Sequence, residues 1–207
     1  MEKLDLRQQY KHLYQPSARK VELVDVPPLQ FAVVDGEIPP GASVGDSPDF
    51  QEAVGALYGI SYTLKFMLKK RADNPIDYPV MALEGLWGTP SGAFQFGVPD
   101  TWLYTVMIMQ PDVITPQLFE EGRAQLLKKH PGPGPARLRL ETFHEGRCIQ
   151  VMHIGPYADE PATIARMDAY AAERGLTLHG RHHEIYLGDP RRAAPEKMKT
   201  VLRHPVQ

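Results

Sequence analysis

The feature that most constrains this chain is a repeated order of predicted elements, because each half reads as a strand, a helix and two further strands. Glu84 and Glu184 occupy the same place in the two halves, and a turn proline follows soon after each. This correspondence exceeds what element order alone requires, so we infer a duplicated βαββ unit. The matching segments are FAVVDGEIPP (31–40), MALEGLWGTP (81–90) and LYTVMIMQP (103–111) in the first half, and IQVMHIGPYADEP (149–161), HHEIYLGDP (182–190) and MKTVLRHPV (198–206) in the second.

Duplicated units of this kind predict an α+β fold. Each unit is expected to contribute a small antiparallel sheet module with helices on the other side, and the groove between the two modules is the natural ligand site. We divide the chain into an N-terminal arm over 1–20 and a domain over 21–207. Within that domain, repeat one covers about 21–112, and a linking helix with repeat two covers about 113–207.

Three helices are marked by their ends. Ser47 and Thr115 each precede a proline, the typical pair of capping residue and first helical residue, and apolar residues follow Ser47 at helical spacing. A third helix is predicted over 159–174, where Gly175 ends it. Between two predicted strands, residues 89–100 form a loop punctuated by glycine and proline that is long enough to reach over a pocket.

Composition and charge argue against several classes of protein. The 207 residues carry a net charge of −2, which argues against nucleic acid as a partner, and no segment has the apolar core of a signal peptide or the length of a membrane span. The one cysteine, Cys148, cannot form an internal disulfide, and its apolar strand predicts an inert buried thiol. We therefore expect a soluble cytoplasmic protein, monomeric or homodimeric, that binds neither nucleic acid nor membrane.

A glutamate inside an apolar strand needs a physical explanation. Glu184 stands beside Ile185, Tyr186 and Leu187, although burial of an ionised carboxylate without a partner is costly. Alternate residues of a strand point to opposite faces, so Glu184 and Tyr186 face the groove if their neighbours pack on helices. From the pattern alone, an ion pair with a nearby arginine or a wetted sheet edge explains this glutamate equally well. The arginines concerned are Arg181, Arg191 and Arg192.

The segment HHEIYLGDPRRAAPEKMKTVLRHPV (182–206) resembles the closing motif of the GyrI-like small-molecule-binding proteins. That domain also forms the drug-sensing half of certain bacterial multidrug-responsive transcription activators. The resemblance extends over most of the chain from about Val21 on. It implies two βαββ repeats and an aromatic pocket for lipophilic or cationic aromatic compounds, with Glu184 as the acid at its base. The residues that match the motif are Glu184, Tyr186, Asp189, Pro190, Pro195, Glu196 and Lys197.

Within this family, the chain is more similar to the stand-alone branch than to the sensors. Members of that branch include hydrolases that open the strained cyclopropane of DNA-alkylating natural products. Such a reaction needs a positioned water, a base, and a donor to the oxygen that gains charge. Because desolvation raises the pKa of a carboxylate, Glu184 is the candidate base. Tyr104 is the favoured hydroxyl donor, with Tyr157 and Tyr186 as the alternatives.

Aromatic side chains are the main candidates for ligand contact. Trp87 and Trp102 offer flat faces, each worth on the order of 1 kcal/mol beyond area burial, although aromatics at two strand ends also form simple cross-strand pairs. Tyr58 can line the pocket or belong to the core, and Glu84 can be a second pocket acid or an exposed strand residue. The expected ligand-binding set is Trp87, Trp102, Tyr157, Tyr186, Tyr58 and Glu84.

We expect neither a metal nor a cofactor. His179, His182 and His183 lie near Glu184, but neighbouring histidines on a strand point to opposite faces, and no Cys/His spacing supports a site. Three functional classes stay open. The chain can be a cofactor-independent hydrolase of cyclopropane-containing xenobiotics, a module that sequesters drugs unchanged, or a protein-interaction inhibitor of the gyrase-inhibitor type.

Overall fold

A computed structural model describes residues 1–92, 100–188 and 193–207. Several predicted features lie outside these ranges. They are residues 93–99 of the loop expected to reach over the pocket, Asp189 and Pro190 of the closing motif, and the candidate ion-pair partners Arg191 and Arg192. Within the described ranges, no helix is both long and apolar enough to cross a membrane.

The described chain contains strands and α-helices with the following bounds. The strands are β1 (Glu2–Lys3), β2 (Glu22–Val26), β3 (Leu29–Ile38), β4 (Ile76–Asp77), β5 (Leu83–Gly88), β6 (Trp102–Met109), β7 (Arg139–Phe143), β8 (Gly146–Ile154), β9 (His182–Tyr186) and β10 (Lys199–Pro205). The helices are α1 (Leu6–Gln9), α2 (Lys11–Tyr14), α3 (Pro48–Lys69), α4 (Pro116–Lys129), α5 (Pro133–Arg137) and α6 (Glu160–Glu173). Short 3-10 turns occupy Val44–Asp46, Tyr157–Asp159 and Pro195–Lys197.

Eight of the strands form one antiparallel sheet in the order β2-β8-β10-β9-β5-β6-β3-β7. The elements β3, α3, β5 and β6 make the first βαββ unit, and β8, α6, β9 and β10 make the second. The two units join where β5 pairs with β9, with Gly85 opposite Glu184 and Leu83 opposite Tyr186. The predicted duplicated α+β architecture is confirmed, and the two sheet modules are continuous through this central pair.

α3 and the linking helix α4 begin where their capping residues predict. Ser47 accepts a hydrogen bond from the Phe50 amide at 3.3 Å, and Thr115 accepts one from the Leu118 amide at 3.2 Å. α3 packs on β3 and β6, and α4 packs on α3. The side chains that α3 buries recur at helical spacing: Ala53, Leu57, Ile60, Leu64 and Leu68.

α6 covers the second unit as α3 covers the first. Met167 and Ala171 of α6 pack in an apolar cluster with Ile149 and Leu202 of the sheet. By strand pairing and alternation, Leu202 shares a face with Glu184, and therefore with the side of β5 that meets α3. We call this side the helix face. The helices were expected on the side away from the ligand groove, but they lie on the groove's own side and form its walls.

The N-terminal segment covers the opposite side of the sheet, which we call the arm face. Leu13 and Tyr14 are buried there. Arg203 of β10 donates a hydrogen bond to the Leu13 carbonyl at 2.8 Å, and Gln150 of β8 donates one to the His12 carbonyl at 2.8 Å. The central sheet is therefore covered by helices on one face and by the arm on the other.

Candidate functional site

An open groove of about 2080 Å³ lies on the helix face, between α3 and the start of α6. Strands β5, β6 and β9 form its floor, and it continues past the strand ends towards the arm, where Arg7 and Lys199 line it. Most ligand pockets are roughly 300–1,000 Å³, so this groove has room for a large polycyclic compound. Its aromatic lining residues are Tyr14, Phe50, Tyr58, Tyr62, Trp87, Trp102, Tyr157 and Tyr186.

Glu184 lies at the floor of this groove and is only 6% exposed. The Tyr186 hydroxyl donates to its Oε2 at 2.8 Å, and the Trp87 indole N–H donates to the Tyr186 oxygen at 2.9 Å. His182 Nε2 is 3.4 Å from Oε1. Burial, and then Glu184, raise the pKa of Tyr186 well above its ordinary range, so the tyrosine keeps its proton and remains a donor.

Gly85 makes this hydrogen-bonded chain possible. It lies directly opposite Glu184 in the sheet, and a Cβ at this position would be 2.9 Å from the Trp87 indole nitrogen and 3.1 Å from the Tyr186 hydroxyl. A side chain here would push the two donors apart. The hydrogen-bonded chain from Trp87 through Tyr186 to Glu184 therefore requires a glycine at position 85.

Glu160, which the sequence did not indicate, is a second acid in the same groove. It is the first residue of α6, it lines the groove, and it is 1% exposed. Among the described residues, no donor makes a hydrogen bond of good geometry to either of its carboxyl oxygens. A glutamate in the first turn of a helix is common because it complements the helix dipole, so nothing in its sequence position distinguishes it.

The environment of Glu160 favours its neutral form. Burial is the main cause, and the nearby Glu184 carboxylate adds to it, raising the pKa of Glu160 to about 9. The Thr200 hydroxyl opposes this increase only in part. The groove thus holds a protonated carboxylic acid beside Glu184.

The predicted aromatic residues converge on this groove. Trp87 and Trp102 meet edge to face with ring centroids 6.1 Å apart, and Tyr157 meets Tyr186 in the same manner at 5.9 Å. The tryptophan pair is both a cross-strand contact and part of the lining, so the two interpretations of the sequence are compatible. Tyr58 and Tyr157 are 37% and 38% exposed, respectively, which leaves their rings accessible from the groove.

Tyr104 was the favoured hydroxyl donor, but its hydroxyl is not placed beside Glu184. It donates to Asp49 of α3 at 2.5 Å, and Asp49 forms an ion pair with Arg137 at 2.9 Å. Gly36 leaves the space for this contact, since a Cβ there would lie 2.2 Å from the Tyr104 oxygen. The Tyr104 ring packs on Trp87 at a centroid distance of 6.1 Å. Tyr104 thus supports the groove from below, and the tyrosine bonded to Glu184 is Tyr186.

Glu84 was expected as a second pocket acid, and its position corrects that expectation. Gly85 faces the groove, so strand alternation turns Glu84 to the arm face. There its carboxylate accepts a hydrogen bond from the Tyr14 hydroxyl at 2.5 Å and lies 3.0 Å from His183 Nε2. With 1% exposure, Glu84 is neither a groove residue nor an exposed one.

The contacts of Glu84 belong to a larger buried network on the arm face. His183 Nδ1 lies 3.0 Å from both carboxylate oxygens of Glu145, and Arg203 contacts Glu145 at 3.2 Å. Burial alone would lower the pKa of His183, but the Glu145 and Glu84 carboxylates outweigh it and raise that pKa. His182 and His183 thus face opposite sides of the sheet, and the part of the chain that the structure describes holds no group of three His, Cys, Asp or Glu side chains arranged for a metal.

The two alternative explanations of Glu184 were a wetted sheet edge and an ion pair with a nearby arginine. β9 lies between β5 and β10, so Glu184 is not at a sheet edge. Arg181 donates to the Thr105 hydroxyl at 2.7 Å, and Thr105 lies on the face opposite to Tyr104. The proposed partner Arg181 is therefore engaged on the other side of the sheet.

Comparison with known proteins identifies relatives over the full length. The GyrI-like small molecule binding domain matches residues 19–207. A protein described as an uncharacterized conserved protein from Listeria innocua is 40% identical, with a TM-score of 0.88, and the match covers 99% of this chain and 100% of that one. A protein described as a hydrolase from Listeria innocua is 38% identical with a TM-score of 0.84, covering 99% of this chain and 100% of the other.

A more distant similarity is to the C-terminal domain of EcmrR. The identity is 11% and the TM-score 0.55, with 91% of this chain and 97% of that domain covered, so this likeness shows the fold alone. None of the curated proteins matches this chain.

Proposed function

The chain belongs to the GyrI-like small-molecule-binding domain family, and we propose that its groove binds flat lipophilic or cationic aromatic compounds and hydrolyses those that carry an electrophilic cyclopropane. The observation that carries this proposal is the buried Glu184 carboxylate, held by Tyr186 at 2.8 Å on the floor of an aromatic groove. Aromatic faces supply contact area, and a carboxylate attracts a positive or polarised centre.

For hydrolysis, Glu184 is the proposed base. It takes a proton from a water molecule whose oxygen forms a bond to a cyclopropane carbon, and the strained C–C bond breaks. The electron pair of that bond moves through the conjugated ring to the carbonyl oxygen, which becomes a phenolate and then takes up a proton. Tyr186 is a positioning residue in this scheme because its hydroxyl orients the Glu184 carboxylate.

A hydroxyl group at the rim is needed for the oxygen that gains charge. We assign this role to Tyr157, which lines the groove, is 38% exposed, and packs its ring on Tyr186. Two observations support the assignment to a hydrolase: the 38% identity to the Listeria innocua protein described as a hydrolase, and the presence of both a candidate base and a candidate donor in one groove.

Binding and turnover can be separated with the protein's own fluorescence. The chain has two tryptophans, and both line the groove, so quenching of their emission reports occupancy. Mass analysis then shows whether a cyclopropane-fused dienone returns with the mass of one added water. We expect Glu184→Gln to bind this neutral compound within about threefold of the wild type. Its rate of hydrolysis should be lower by a factor of at least about 100, as loss of a general base predicts.

The matched control is Glu173→Gln at the exposed end of α6, which should behave as wild type. Quenching with the compound recovered intact would favour sequestration over hydrolysis. Absence of quenching by any flat aromatic cation or dienone would contradict the proposed ligand site. Equal turnover by Glu184→Gln would contradict the assignment of the base.

A further inference from the structure

Glu160 and Glu184 form a carboxyl pair whose two members differ in their hydrogen bonding. Glu184 accepts a hydrogen bond from Tyr186, whereas no atom of the described residues makes a full hydrogen bond to either Glu160 oxygen. Both side chains line the same groove, and both are almost fully buried. An unpartnered acid at the wall of a ligand groove is free to change its protonation state when a ligand arrives.

Among the described residues, no positively charged side chain neutralises the Glu160 carboxyl group. β9 contributes Glu184 and β10 contributes the Thr200 hydroxyl, which are the two neighbours that influence its charge. The groove is also lined by Arg7 and Lys199, but neither forms an ion pair with Glu160 in that part of the chain. A bound cation would supply the positive charge that Glu160 lacks.

We propose, on the basis of the proposed ligand site, that Glu160 lets the groove accept both neutral and cationic aromatic ligands. It keeps its proton when a neutral ligand binds and releases it when a cationic ligand binds. The balance is simple: the neutral acid and a cation become a carboxylate–cation pair and one proton in solvent. With a neutral ligand, the acid remains intact and its O–H is available to donate a hydrogen bond. One groove can then accept both classes without leaving Glu160 as an unpaired buried charge.

The physical reason is the difference in electrostatic environment between the empty and the cation-bound groove. In the empty groove, burial and the Glu184 carboxylate keep the proton on Glu160, with a pKa of about 9. A cation at the same place offsets both influences and lowers the pKa of Glu160. Cation binding near neutral pH is therefore coupled to proton release, whereas neutral binding is not.

The test is calorimetry with a matched pair of flat probes, 10-methylacridinium as the permanent cation and 10-methylacridone as its neutral counterpart. Titrations at about pH 7 in buffers of different ionisation enthalpy give the number of protons exchanged. We expect close to one proton released per acridinium bound and none per acridone. The affinity for acridinium should rise by up to about tenfold per pH unit until the pH reaches about 9, and the affinity for acridone should stay level.

Glu160→Gln, which imitates the neutral acid, should bind acridone within about threefold of the wild type. It should bind acridinium without proton release or pH dependence. Circular dichroism and thermal unfolding check that this near-isosteric variant folds, and the wild-type titrations stand on their own if it does not. Acridinium binding without buffer dependence, or proton release that persists in Glu160→Gln, would overturn this inference while leaving the ligand site intact. Failure of both probes to bind would overturn the proposed function, and this inference with it.

Discussion

At the scale of single residues, Gly85 tests whether the hydrogen-bonded chain at the groove floor matters. Gly85→Ala places a methyl group 2.9 Å from the Trp87 indole nitrogen and 3.1 Å from the Tyr186 oxygen. Because these atoms must move apart, we expect the free energy of unfolding to fall by ~1–3 kcal/mol and ligand affinity, measured by tryptophan quenching, to fall about tenfold. Gly55→Ala is the control. Gly55 lies on the groove side of α3, and a Cβ at this position would have no atom within 4 Å. Equal behaviour of the two variants would contradict the role given to Gly85.

The residues themselves show how far sequence reasoning reaches. The groove-facing side of β9 was predictable, because alternation in HHEIYL places Glu184 and Tyr186 together once their apolar neighbours are buried. Glu84 was misplaced because Gly85, which has no side chain to reveal its face, occupies the groove position of β5. Glu160 was missed because its burial depends on α6 packing on the sheet, against β8 and beside Thr200 of β10, and no local pattern encodes that contact.

At the scale of elements, Tyr104 anchors α3 to the sheet and so places the groove wall. Tyr104→Phe removes the hydrogen bond to Asp49, and we expect the free energy of unfolding to fall by ~1 kcal/mol because the Asp49 side chain is about half exposed. Turnover of a cyclopropane substrate should stay within about threefold. Tyr186→Phe, which frees the Glu184 carboxylate to rotate, should instead reduce turnover by about tenfold or more. Steady-state rates and denaturant unfolding of both variants measure this difference.

The outcome that would restore Tyr104 as the hydroxyl donor is a large loss of turnover in Tyr104→Phe with unchanged ligand affinity.

Elements with strong local signals were the easiest to predict. Ser47 with Pro48 and Thr115 with Pro116 mark the starts of α3 and α4 because capping is a short-range interaction. The pairing of β5 with β9, about a hundred residues apart, could not be read in the same way, because it depends on long-range packing.

At the scale of the whole molecule, the two faces of the sheet carry different tasks. The arm face closes over Glu84 and His183, and the Tyr14 hydroxyl donates to Glu84 there, although Tyr14 also borders the groove where it extends towards the arm. Because Tyr14→Phe keeps the ring and removes only the hydroxyl, it should act on stability and not on ligand binding. Loss of the Tyr14 hydroxyl leaves a buried carboxylate oxygen without its donor, and we expect the free energy of unfolding to fall by ~1–3 kcal/mol with quenching constants unchanged. Tyr170→Phe on α6, with its partly exposed ring, should change stability by less than ~0.5 kcal/mol. Weaker ligand binding by Tyr14→Phe would show that the two faces are coupled.

Glu160 links the groove to the stability of the whole fold. Its pKa is raised from an ordinary 4.5 to about 9, so the stability that its proton contributes is full below about pH 4.5 and is lost as the pH rises towards 9. One proton corresponds to about 1.4 kcal/mol per pH unit, so we expect Glu160→Gln to exceed the wild type by a few kcal/mol at pH 8. Near pH 4 the two proteins should be equally stable, and the exposed Glu173→Gln should follow the wild type throughout. Denaturant unfolding across this pH range measures the difference, and parallel curves for wild type and Glu160→Gln would show that Glu160 is ionised in the folded protein. A buried acid that destabilises the empty fold at neutral pH is better explained by a role towards ligands than by packing, since functional sites are where such costs are retained.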